Sequence, residues 1–115
     1  MESPHPDWIV PDWPAPAGVR ALITTRSGGE SGGPFTSFNL GLRTGDDPQA
    51  VAANRAKLIS LLPQPPRWLR QVHGSRVVDA DALTDTPEAD AAVARRPGTV
   101  CAVLVADCIP GLLAD

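Results

Sequence analysis

The sequence predicts an α/β fold, a mixed central sheet with helices packed on it, and three features carry that prediction. Val100 to Ala106 is a seven-residue apolar run with no charge and no alternation, the pattern of a strand buried on both faces. Its β-branched content, with Pro97-Gly98 before it and Pro110 after it, favours a strand over a buried helix. Residues 48–62 carry apolar side chains at helical spacing behind Asp47-Pro48, and shorter segments at 19–25 and 76–79 supply further strands. The 115 residues suit one domain, 1–115, with a modest core.

Taken in order, residues 1–17 hold five prolines around Trp8 and Trp13. They read as an extended arm whose tryptophans pack on the body, with His5 solvated. Val19 to Thr25 is a strand, with Ala21 and Ile23 on one face. Arg26 and the glycine-rich Ser27 to Gly33 follow. Such a loop can present N–H groups to phosphate, but it lacks the Lys-Ser/Thr of a P-loop and the spacing of a dinucleotide fingerprint, so a plain turn is the better reading. Phe35 to Leu42 is a short ordered segment containing Asn39.

Asp47 is a good N-cap and Pro48 a good first helical residue. Val51, Leu58, Ile59 and Leu62 then fall on one stripe, with Asn54, Arg55 and Lys57 mostly elsewhere, and Pro63, Pro65 and Pro66 close the helix. Arg67 to Val72 is extended, with Trp68 and Val72 available to the core and Leu69 on the other side. It delivers Gln71-Val-His-Gly74. Arg76 to Asp79 is another strand paired nearby, Asp81 to Glu88 a polar loop, and Ala89 to Val93 fits strand or helix equally. Gly111 to Asp115 begins a second apolar strand with nothing after it to cover it. The chain is therefore expected to be the amino-terminal part of a larger domain. An uncovered edge at Leu112-Leu113 would invite self-association.

Composition narrows the partners. A net charge of −3 without a basic cluster argues against a nucleic acid polymer. No apolar run approaches the roughly 20 residues of a membrane span, and no basic-then-apolar leader opens the chain, so a cytoplasmic location is expected. Cys101 and Cys108 lie seven residues apart, roughly 23 Å along a strand at about 3.3 Å per residue, whereas a disulfide needs Cα atoms within about 7 Å. Both read as thiols, Cys101 as a small buried apolar residue.

His73 and Cys108 each close an extended apolar segment, and the carboxyl ends of such segments are where open α/β sheets keep their sites. Imidazole and thiolate are good zinc ligands. Their 35-residue spacing matches no compact zinc motif, and by spacing alone a turn histidine and a buried thiol explain them better. Asp46-Asp47 reads as a loop and a helix cap. Asp107 can orient a neighbouring ligand or cap the strand end, and Asp90, between alanines, is equally open.

Thr24-Thr-Arg-Ser-Gly-Gly29, Phe38-Asn-Leu-Gly41, Gly45-Asp-Asp-Pro48, Asn54-Arg55, Trp68-Leu-Arg-Gln-Val-His-Gly74, Ala89-Asp-Ala91, Pro97-Gly-Thr99 and Ala106-Asp-Cys-Ile-Pro110 occur in this order. Together they resemble the YfiH-type family, known as laccase-domain or polyphenol oxidoreductase proteins and as purine nucleoside phosphorylases. The resemblance implies a fold similar to bacterial toxins with a Cys–His deamidase site. It also implies zinc, with copper as the alternative, held by His73, Cys108 and a third ligand, a histidine in a motif expected beyond residue 115. Without that ligand the 115 residues alone are expected to be inactive. The implied reaction is cleavage of purine nucleosides by phosphate to base and ribose 1-phosphate, with adenosine deamination and methylthioadenosine phosphorolysis as further activities. Arg26 with its glycine loop is then the candidate phosphate or ribose side, and Asn39 a candidate polar contact. The alternatives are a Cys–His hydrolase with Cys108 as nucleophile activated by His73, a polyphenol oxidoreductase, and a non-catalytic assembly module. Two histidines in all fall short of what multicopper oxidation needs.

Overall fold

A computed structural model describes residues 4–106 and 108–115. They form two compact units, Met1–Lys57 with Gly111–Asp115, and Leu58–Pro110. No helix among the described residues is long and apolar enough to cross a membrane.

The first unit carries most of helix α1, Pro48–Ile59. Asp47 caps it as predicted, Oδ1 accepting from the Gln49 amide at 3.0 Å. The helix stops three residues short of the expected end. Residue Leu62 precedes a proline, which disfavours helical backbone there, and the last turn tightens into Leu61 N–H to Leu58 O and Leu62 N–H to Ile59 O bonds of 3.0 Å each. The buried stripe is Val51, Asn54 and Leu58, spaced i, i+3, i+7. Asn54, expected off the stripe, is its most enclosed member at 0% exposure. An amide can stand there because every polar atom it brings is matched by the loops it meets, as described below.

The amino-terminal arm packs through Trp8. Its ring lies 4.7 Å from that of Phe38, and its indole N–H donates to the Ser27 carbonyl at 2.8 Å. His5 is half-buried rather than solvated, held where its Nδ1 accepts from the Asp7 amide. The segment at 19–25 is not a ladder strand. It makes one antiparallel bridge, Ile9 with Ile23, because the only strand-like neighbour it meets among the described residues is the proline-studded arm, which cannot sustain a donor row.

In the second unit, β1 (Val77–Asp79) pairs in parallel with β2 (Ala91–Val93), in register Val77↔Ala91, Val78↔Ala92, Asp79↔Val93. Within the ambiguous Ala89 to Val93 segment, Ala91–Val93 is thus strand. Parallel bridges also join Arg70 to Glu88 and Arg67 to Cys101, so the segment from Arg67 runs between two neighbours of the same direction. Leu69, Val78 and Ala89 form its core, with Leu83 and Ala92 packed against them.

Two expectations fail here. Residues 100–106 are not a doubly buried strand; Cys101 makes one bridge, and Val103 and Val105 are exposed. A strand buried on both faces needs a continuous ladder and a covering layer on each side, and the described residues supply one bridge and neither layer. Residues 111–115 form no strand either, with Leu113 99% exposed.

Candidate active site

The segment leading to His73 is anchored by buried Leu69. Just beyond it, the Arg70 amide donates to Pro87 O at 2.8 Å and its carbonyl accepts from the Ala89 amide at 3.0 Å. That pairing brings Asp90 level with the Val72-His73-Gly74 turn. Its Oδ1 accepts from the amides of Val72 at 3.2 Å and His73 at 2.8 Å, and its Oδ2 from that of Gly74 at 2.7 Å. Three successive N–H groups converging on one anion form a backbone nest. The Gly74 bond most of all, then those of His73 and Val72, with the imidazole's charge nearby, holds the Asp90 carboxyl below its usual range against a partial loss of hydration.

The turn places His73 at φ 57°, the one non-glycine residue at positive φ among the described residues. Left-handed backbone costs an L-residue roughly 1–2 kcal/mol, which the Asp90 bonds offset. The imidazole is exposed. Val72, expected in the core, is 47% exposed instead, because the clamp turns the chain before that side chain can reach the apolar cluster.

Cys108 lies in the same unit, exposed, and neither cysteine is in a disulfide. Asp107, the candidate orienting carboxylate, lies outside the described residues. Cys101 is exposed rather than buried. Even so, partial burial of its sulfur, then the carboxylates of Asp81 and Asp79, pushes its thiol pKa up.

Arg26 and Asn39 belong to the first unit. Arg26 is exposed, its Nε donating to Thr36 O at 3.2 Å. The Asn39 side chain is taken up locally: Nδ2 donates to Thr44 Oγ1 at 2.7 Å and Asp46 Oδ2 at 3.2 Å, while Oδ1 accepts from the Gly41 amide at 3.1 Å. In the glycine-rich loop the amides of Gly29, Glu30 and Ser31 donate to Ser37 Oγ, Asn54 Oδ1 and Ser37 O. Those three face the protein, as the plain-turn reading requires.

Asn54 was missed as a organising residue, and its links show why it matters. Nδ2 donates to Ser31 Oγ at 2.9 Å and Asn39 O at 2.8 Å, and Oδ1 accepts from the Glu30 amide at 2.7 Å. The signal available was Asn54-Arg55 as a pair. Arg55 Nε, from the next position, donates to Leu40 O at 2.8 Å.

Zinc takes nitrogen and sulfur donors, and a catalytic site uses three protein ligands. His73 and Cys108 fit in donor chemistry. In number they fall short, because among the described residues no group of three or more His, Cys, Asp or Glu side chains is placed to hold an ion.

The family described as multi-copper polyphenol oxidoreductase laccase matches residues 20–115. The chain is 52% identical over 108 residues to a purine nucleoside phosphorylase of Pseudomonas aeruginosa, covering 94% of this chain and 44% of that protein. It is 48% identical over 113 residues to the purine nucleoside phosphorylase YfiH of Escherichia coli, covering 93% and 45%. A crystal structure of a Neisseria meningitidis protein of the DUF152 family superposes with a TM-score of 0.82 at 47% identity, over 88% of this chain and 42% of that one. The chain thus spans less than half the length of the relatives it matches.

Proposed function

Because the chain belongs to the multi-copper polyphenol oxidoreductase laccase family, we propose that it forms part of a zinc-dependent purine nucleoside phosphorylase, with His73 and Cys108 as two of the metal's ligands. The observation that carries the reaction is the identity of about half the residues, over nearly the whole chain, with proteins named for that activity. The metal assignment is supported by the register of the second unit. Arg67 and Cys101 face each other across a parallel bridge, His73 follows the first by six residues and Cys108 the second by seven. The two segments are parallel neighbours at that bridge, and the chain beyond it carries an imidazole in one and a thiol in the other.

Zinc bound there would supply Lewis-acid polarisation of the substrate. The chain's own part is to hold the imidazole on a clamped turn and to offer the thiol as an anionic ligand. Arg26 is the proposed contact for phosphate or ribose, a role suited to a planar charged donor fork, and Asn39 a proposed polar contact in the loop it braces. Adenosine deamination and methylthioadenosine phosphorolysis belong to the same proposal. In the full-length protein, adenine release from adenosine should depend on phosphate and yield ribose 1-phosphate, and His73→Ala and Cys108→Ala should each abolish it. Phosphate-independent release, or full activity in both variants, contradicts the assignment.

The family's description favours a second reading, copper-dependent phenol oxidation. A blue-copper centre wants two histidines and a cysteine, and of the chain's two histidines His5 has its Nδ1 engaged by the Asp7 amide. Oxidation of a catechol by the copper-loaded protein, with no phosphorolysis, would select that reading.

A further inference from the structure

We propose that Asp90 is a positioning residue for His73, fixing the direction of the imidazole through the backbone of its turn; this rests on the reading of His73 as a metal ligand. The carboxylate takes the amides immediately before, at and after the ligand position, at 3.2, 2.8 and 2.7 Å. Binding all three fixes the peptide planes on both sides of the His73 Cα. The Cα–Cβ direction, and with it the arc the ring can reach, is set by that choice of φ and ψ. Without a clamp, a non-glycine residue would leave the left-handed region for the broader allowed ones, and the ring would swing away.

The post that holds the clamp is itself rigid. The Asp90 amide donates to Arg76 O at 3.2 Å and the preceding Ala89 amide to Arg70 O. Ala89 is 0% exposed, inside the core of the unit. Ala91, which follows, starts the ladder with β1. The carboxylate therefore transmits the sheet's geometry to the turn, and outer residues of this kind hold ligands in place for a metal.

The test uses cobalt(II) as the probe on the full-length protein, with Asp90→Ala, Asp90→Asn and His73→Ala compared with wild type. Affinity is read by competition with a chromophoric chelator, and geometry by the visible d–d bands. Asp90→Ala should weaken cobalt binding by about 10-fold or more and shift the d–d bands. Asp90→Asn keeps an acceptor for the Val72 and His73 amides but turns an N–H against that of Gly74, and should fall between. A purely structural role would lower the melting temperature of the metal-free protein and leave the bands unmoved. If Asp90→Ala does not fold, Asp90→Asn decides. Unchanged affinity and bands in the folded Asp90 variants, with binding lost in His73→Ala, overturn the positioning role and leave the ligand assignment intact. Wild-type binding in His73→Ala overturns the ligand assignment and this inference with it.

Discussion

Replacing Asn54 tests the organisation of the first unit, and its cost can be worked from the structure. The side chain is 0% exposed and makes three short bonds, to the Glu30 amide, Ser31 Oγ and Asn39 O, at 2.7, 2.9 and 2.8 Å. Asn54→Ala strands those groups, at about 1–3 kcal/mol each when no water reaches them. Glu30 is exposed and Asn39 half-buried, so partial rehydration puts each near the low end and the sum at about 3 kcal/mol. Asn54→Asp separates hydrogen bonding from packing. It has the same shape, but it turns an acceptor toward the Asn39 carbonyl and toward a Ser31 hydroxyl that already donates to Asp46 Oδ2 at 2.6 Å. At neutral pH it should cost at least as much as the alanine variant. Urea unfolding of the full-length protein gives the comparison, as a lowered midpoint at unchanged slope. Either variant within about 0.5 kcal/mol of wild type would refute the reasoning.

Three other outcomes follow from the same unit. An ideal Cβ on Gly29 would stand 2.6 Å from both Asn54 Oδ1 and Phe38 Cα, whereas one on Gly32 meets nothing within 4 Å. Gly29→Ala should therefore cost about 2 kcal/mol or more and Gly32→Ala under about 0.5 kcal/mol, and equal costs would contradict the close packing. The bond from Ser31, then those from Asn39 and the Asp47 amide, holds the Asp46 carboxyl below its ordinary value of 3.8. Its stabilising contribution is thus present above the unfolded value and lost as pH falls through the lower folded one. A carboxyl-carbon NMR titration should show a midpoint below 3.8 that rises in Ser31→Ala, and a midpoint at or above it would contradict this. Trp8→Ala removes ring packing on Phe38 and should cost about 3–5 kcal/mol, while Trp8→Phe loses chiefly the bond to Ser27, about 1 kcal/mol; equal losses on unfolding would contradict the packing role.

Local chemistry was legible in the sequence where it is self-contained. Asp47-Pro48 marks a helix start by capping alone, and the structure begins α1 there. The strand at Val77–Asp79 and the burial of Trp8 were likewise readable from their own residues. The run at 100–106 misled for the opposite reason. Its apolar content reports the surroundings a strand needs, and a strand forms only where those surroundings are supplied. Asn54 was hidden by its polarity: helical periodicity assigns an amide to the outer face, and only the loops that meet it reveal its three short bonds. At the candidate site, His73 stood out by type and place. The Asp90 clamp did not, since an aspartate between two alanines carries no sign of the turn seventeen residues earlier that it holds.

The account depends on His73 and Cys108 serving one metal ion. Anomalous diffraction at the zinc edge from crystals of the full-length protein addresses that directly. It should give a peak about 2.0–2.1 Å from an imidazole nitrogen of His73 and about 2.3 Å from Cys108 Sγ. A zinc peak bound to other residues, or bound to one of these two without the other, would contradict it.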